Sequence, residues 1–276
     1  MFAHQPHNTQ PRSNAKGMDF NMRAFIAFTK KECTEGLRTY RLIILAAVLL
    51  FFAILSPLTA KLLPEILGAV DLGDGVSITF PEPSAIDSWA QFFSNIGQMG
   101  MLALIVTFSG IMANELSRGT LVNLLTKGMK RHMVVISKFI SASAMWTVSY
   151  ALCLTVCYAY TEFYWPASDI SNSLFAFASL WLFGELLIAI LIFGGVLFSS
   201  FYGSLLSCFG VIITMALLNI APAVHRFNPI SLAGDTLSLL SAQKEPADFL
   251  PAMIICSSSI VLLTVASILV FNKKKM

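Results

Sequence analysis

Six stretches of this chain are each long and apolar enough to cross a lipid bilayer, and no other feature constrains its fold as tightly. A hydrocarbon core of ~30 Å takes about 20 apolar residues per helix. Runs of that kind lie at Leu42–Ala60, Phe92–Ala113, Phe139–Tyr160, Ser173–Phe198, Ser204–Val224 and Phe249–Phe271. In lipid, backbone N–H and C=O groups must find partners within the protein, so such runs read as helices. Composition agrees: only 12% of the 276 residues are charged and the mean hydropathy is +0.74, whereas soluble chains carry about 25% charged residues. The expected fold class is all-α, a polytopic membrane protein with six transmembrane helices over residues 41–276. No separate soluble domain fits beside them.

The polar residues between the runs fix an expected orientation. Lys and Arg near span ends stay on the cytoplasmic side. With both termini inside, only Lys61, Arg226 and Lys244 of the eighteen basic residues fall outside, together with ten of the fifteen acids. The segment Lys61–Ser88, with Glu65, Asp71, Asp74, Glu82 and Asp87, is then an acidic external loop, and Asn114–Lys138 a basic cytoplasmic one. The opposite orientation would put fifteen basic residues outside.

Residues 1–21 are rich in His, Gln, Asn and Pro, lack the apolar run of a signal peptide and read as a disordered tail, with Met18 and Met22 as alternative starts. Residues 22–40 read as an amphipathic interfacial helix. Met22, Phe25, Ile26, Cys33, Leu37 and Tyr40 recur on an apolar side, and Lys30, Lys31, Glu32, Glu35 and Arg38 are polar.

Five cysteines and four histidines are scattered without the spacing of a disulfide framework or a zinc site. Cys153 and Cys157, one helical turn apart, read as small packing residues. Gly194, Gly195, Gly203 and Gly210, with neighbouring serines, suggest close packing of the fourth and fifth runs. Glu185 lies near the middle of the fourth run, where a carboxylate costs ~3 kcal/mol on insertion scales unless protonated, paired or facing water. It is expected to point into the bundle or a dimer interface, hydrogen-bonded to a neighbouring helix or lining a substrate path. The segment Ala221–Asp248, with Pro222, Pro229 and Pro246, is too broken to be one regular span.

The motifs that would make the chain an enzyme are missing. There is no G-x-x-x-x-G-K-[ST] phosphate loop, no H-E-x-x-H and no G-x-S-x-G. ATP hydrolysis, if it drives this chain, belongs to another polypeptide.

The stretch Asn114–Lys138 has helical spacing at Leu116, Leu121, Leu124 and Leu125. Taken alone it also reads as a basic loop lying on anionic head groups. Its order of Glu115, then Arg118, Gly119, Thr120 and Leu121, then Leu124 and Leu125, then Lys130 and Arg131 ahead of Ser137–Lys138–Phe139 resembles type-2 ABC exporter permeases (ABC-2 type). The amphipathic helix before the first span, the external segment, the six spans and Asn228–Pro229 after the fifth extend the resemblance. Many relatives have a proline where this chain has Lys127–Gly128–Met129, so the helix break would rest on Gly128.

The resemblance implies a permease subunit of an ATP-driven exporter in a bacterial plasma membrane. Glu115, Arg118, Gly119, Thr120, Leu121, Leu124, Leu125, Lys130 and Arg131 would form the coupling segment against a separate ABC ATPase subunit. ATP and Mg would be bound by that partner and no cofactor by this chain. A second copy or a homologous permease would complete the transporter, the lipid bilayer would be its surroundings, and no nucleic acid is implied. It also implies short re-entrant helices at the outer face over Ala221–Asp248. A secondary transporter and a non-transporting anchor that recruits an ATPase are the competing readings; the first is disfavoured by a single buried acid and no visible three-plus-three repeat.

Overall fold

The computed structural model describes residues 12–68, 82–117, 119, 121, 125–126, 128–166 and 172–274. Among these the chain is helical, with no strand, and has six helices long and apolar enough to span a membrane. It is an all-α polytopic membrane protein.

Helix α1 covers Arg12–Arg38 and α2 Arg41–Gly68. Between them the chain turns at Tyr40, whose φ of 58° lies in the left-handed region. The second span, α3, runs Ala85–Ser117, and the third, α4, Arg131–Tyr164. Helix α5 is Ser173–Phe198 and α6 Phe201–Leu218, joined at Ser199 with φ 51°. Three short helices follow: α7 at Pro222–His225, α8 at Ser231–Gly234 and α9 at Thr236–Leu240. The last span, α10, is Pro246–Lys273.

Several boundaries differ from the sequence reading for identifiable reasons. Helix α1 begins at Arg12, inside the segment expected to be disordered. Helix α3 begins at Ala85, inside the expected external loop, where Asp87 at N3 accepts from the Ser84 backbone N–H at 2.9 Å and hydroxyl at 2.7 Å. Helix α4 starts at Arg131, so the last third of the expected cytoplasmic loop is helix. Helix α6 ends at Leu218 rather than Val224, because Pro222 opens a new helix instead of continuing the old one. Asp71 and Asp74 of the acidic loop lie outside the described residues.

The break over Ala221–Asp248 is present as the three short helices, α8 and α9 packing on α5. Asn228 is buried and donates its side-chain amide to Met215 O at 2.6 Å, holding the chain under the end of α6. Asp235 accepts from Lys244 Nζ at 2.7 Å and stands 3.2 Å from His225 Nε2, tying α7 and the start of α9 to the approach to α10.

Helix α5 is the hub: α3, α4, α6, α10, α8 and α9 all pack on it. It passes between them at glycines. A Cβ on Gly184 would lie 2.5 Å from the Trp146 ring, and one on Gly195 would lie 3.2 Å from the Ala113 backbone nitrogen. Gly194 abuts Ser207 of α6 in the same way. Gly210 departs from the small-residue packing expected of it, since a Cβ there meets nothing within 4 Å. The atoms nearest a Cβ on Gly203 are those of Phe198, across its own turn.

Candidate functional site

Helix α1 does not pack with the apolar side that its pattern suggests. Met22, Ile26, Leu37 and Tyr40 are exposed, while Phe28, Glu32 and Gly36, four residues apart, are buried. Residues at i and i+4 share one helix face, and this face lies on α4, where Met145 fills the space that a Cβ on Gly36 would need. The inward face therefore carries a carboxylate.

That carboxylate has a partner on α4. Lys138, only 1% exposed, places Nζ 2.8 Å from Glu32 Oε2 and 2.9 Å from Glu115 Oε2. Lys31 adds a second ammonium, 2.7 Å from Glu35, 3.1 Å from Glu32 and 3.2 Å from Glu115. Thr29 donates to the Ser137 hydroxyl at 3.0 Å beside them. Two lysines and three carboxylates thus clasp α1, the end of α3 and the beginning of α4. A carboxylate in the last turn of a helix opposes the local dipole. Glu115 is placed in that way near the end of α3, and the Lys138 ammonium offsets the cost.

The electrostatics follow from the geometry. Burial works against the Lys31 ammonium, but the Glu35, Glu115 and Glu32 carboxylates outweigh it and hold its pKa above the ordinary lysine value. Partial burial would raise the Glu35 pKa, yet the Lys31 hydrogen bond and the charges of Lys31, Lys138 and Arg41 bring it below the ordinary carboxylate value. Carboxylate oxygens of Glu32, Glu35 and Glu115 lie within 4.8 Å of one another, a spacing a cation could use. The ammonium groups of Lys31 and Lys138 already fill that role.

The segment between α3 and α4 hangs from this joint. Gly119, with φ 66°, and Gly128, with φ 92°, turn the chain where a side chain would be strained, so the break expected at Gly128 is present. Leu121 is buried in the core and Leu125 packs against it, so these two leucines face the chain's own helices. Ser117, Gly119 and Lys130 are exposed. Arg118, Thr120 and Leu124 lie outside the described residues.

Arg131 turns inward as well. Its guanidinium donates to the backbone carbonyls of Phe271, of Asn272 at 3.2 Å and of Lys274 at 2.7 Å, with the Phe271 ring 5.4 Å away. Lys274 in turn donates to Val196 O at 2.6 Å and to the Ser199 hydroxyl, closing the C-terminal end of α5. Burial lowers the Lys274 pKa. Glu185 points into the bundle and accepts from the Ser143 hydroxyl of α4 at 2.7 Å.

Sequence reasoning named Glu115 and Arg131 but missed the Glu32–Lys138 pair. A lysine four residues beyond Val134 on an otherwise apolar helix face was the available signal, and assigning Lys138 to a loop concealed it.

The architecture defines a multi-pass helical membrane protein. An uncharacterized transmembrane protein of Bacillus subtilis (strain 168), YxlG, is 29% identical over 163 residues, 59% of this chain. The chain spans 62% of that protein's length. No family model matches the sequence.

Proposed function

We propose that this chain is the transmembrane permease subunit of an ATP-driven exporter, powered by a separate ATPase subunit, with both termini and the Asn114–Lys138 segment on the cytoplasmic side of a bacterial plasma membrane. One observation carries the reading: the Glu32–Lys138–Glu115 cluster, buried at Glu32 and Lys138, joins three helices at the root of the candidate coupling segment. The two helices that hold this segment, of 33 and 34 residues, are about 50 Å long at 1.5 Å per residue, well beyond a ~30 Å hydrocarbon core. A push on the segment reaches α1, α3 and α4 together, because breaking a buried ion pair is costly. Leu121 and Leu125 root the segment in the bundle, and contact with the ATPase falls to exposed positions such as Ser117 and Lys130.

The reading is tested by purifying the chain from its native membrane, identifying any ATPase subunit that accompanies it, and measuring ATP hydrolysis of that subunit with and without the chain in lipid nanodiscs. Co-purification, with hydrolysis lowered by Lys138→Met at unchanged ATPase binding, is expected. An ATPase that neither binds nor responds to this chain would overturn the proposal in favour of a transporter driven by an ion gradient.

A further inference from the structure

A cavity of about 440 Å³ opens between α3, α5, α6 and the short helices α8 and α9, at the end of the bundle opposite the charged joint. Its deep wall is apolar: Phe93, Met101 and Ile105 of α3 and Phe183 and Leu187 of α5 are all buried. Exposed Leu102 and Leu237 stand at its mouth. Among the described residues no Asp, Glu, Lys or Arg lines it, so a charged group finds no partner in that lining.

Two polar side chains of the lining are underused. Gln98, exposed at the mouth, makes one long bond, 3.4 Å to the Ser94 hydroxyl, leaving its carbonyl and a second N–H available to a head group there. Thr236 is 1% exposed and makes no side-chain hydrogen bond among the described residues. Gln98 is carried on a π-helical turn, Ile96–Gly100, inside an otherwise α-helical span. Such turns are rare and frequently mark functional sites. This one widens α3 where Gly97 passes 3.7 Å, measured from a Cβ position, from the Ala233 carbonyl.

We propose that this cavity binds a single-chain amphiphile entering from the bilayer, its alkyl chain between α3, α5 and α6 and its uncharged hydrogen-bonding head at Gln98 and Thr236. The volume falls near the low end of the ~300–1,000 Å³ range of small-molecule sites, room for one chain and not for a two-chain phospholipid. An unfilled apolar volume of this size would forfeit dispersion contacts along every wall. A carbonyl or hydroxyl at the head would satisfy Thr236 and the free Gln98 groups together, which a plain hydrocarbon does not do. This inference does not depend on the exporter reading, because binding needs no ATPase.

The test uses the full chain alone in nanodiscs with a monoacylglycerol carrying a diazirine at the chain terminus. Labelling confined to α3 between Phe93 and Ile105 and to α6 around Phe209 and Ile212 is expected. Uncharged monoacylglycerol should compete, and the corresponding fatty-acid anion should compete poorly. Gln98→Leu should weaken binding by about 3- to 10-fold, the range for one hydrogen bond. Ala233→Phe, which fills the cavity, should abolish labelling, while Leu206→Phe on the exposed side of α6 should leave it unchanged. Labelling spread over exposed α6 and α10 and insensitive to Ala233→Phe would overturn the site. Equal competition by the anion would overturn the uncharged head. Disulfide-linked dimers through Leu102→Cys that exclude the probe would assign the cavity to a second copy of the chain instead.

Discussion

Helices α5 and α6 are adjacent in sequence, similar in mean hydropathy and opposite in environment: 78% of the most apolar window of α5 is buried, against 11% for α6. Both carry glycines and serines. On α5 the glycines admit Trp146 of α4, Ala113 of α3 and Ser207 of α6, whereas Gly210 on α6 faces open space. Lipid tails are as apolar as leucine, so packing rather than hydrophobicity separates a central span from a flanking one. The inner region also holds the buried ionisable groups, Lys138 with its carboxylates and Glu185 with Ser143; the flank holds none among its described residues.

The largest expected effect comes from removing the cation of the inner region. Lys138→Met leaves the buried Glu32 and the partly buried Glu115 with only the more exposed Lys31 ammonium against two carboxylates, and removing one partner of a buried ion pair costs up to about 3–5 kcal/mol. Thermal unfolding of purified protein should show a large loss, and the triple change Lys138→Met, Glu32→Gln, Glu115→Gln should restore much of it. Failure of the triple variant to recover would mean that the cluster acts by shape rather than charge.

A sharper contrast pairs two glycines. Gly184→Leu drives a side chain into Trp146, and overpacking of that kind costs about 1–3 kcal/mol. Gly210→Leu meets nothing and should change melting by less than about 0.5 kcal/mol, as surface substitutions do. If Gly210→Leu proved as damaging as Gly184→Leu, α6 would be covered in the membrane, by a second copy of the chain, and the contrast would vanish.

Glu185→Gln tests the second buried acid. The amide keeps the size and can still accept from Ser143, so abundance and melting should shift by no more than about 1 kcal/mol. On the proposed exporter reading, a loss of transport at normal abundance would instead give Glu185 a charge-dependent role.

The smallest effect concerns pH. Glu35, with a depressed pKa, contributes stability that is present above the ordinary value of 4.5 and lost as pH falls through its lower folded value. Lys31, with a raised pKa, contributes fully below 10.5 and loses its share only as pH rises through its higher folded value. Melting should be flat in these two terms from about pH 5 to pH 10, and both should disappear in a Lys31→Met, Glu35→Gln variant.

Much of the fold was legible because its signals are local. Runs of apolar residues gave the six spans, Pro222, Pro229 and Pro246 gave the break after α6, and Gly128 gave the turn before α4. Helix ends were read short wherever a helix continued past the hydrocarbon into polar sequence, as at Ala85 and Arg131. Of the candidate site, Glu115 was singled out by resemblance as part of a coupling segment and not as a member of an ion cluster, and its partners were not singled out: Glu32 and Lys138 are 106 residues apart, and each looked like a solvated charge in its own segment.

By itself, then, the sequence determined an all-α chain with six spans and the places where helices must stop, because hydropathy, proline and glycine act on the backbone nearby. Only the tertiary structure decided that α5 is central and α6 peripheral, that α1 packs by its carboxylate face, that Leu121 belongs to the core, and that a π-turn opens a cavity beside Gln98. The physical reason is common to all four. In a chain whose solvent is as apolar as its core, residue type does not say which surface meets lipid and which meets protein, and that choice is made by the fit of helices far apart in sequence.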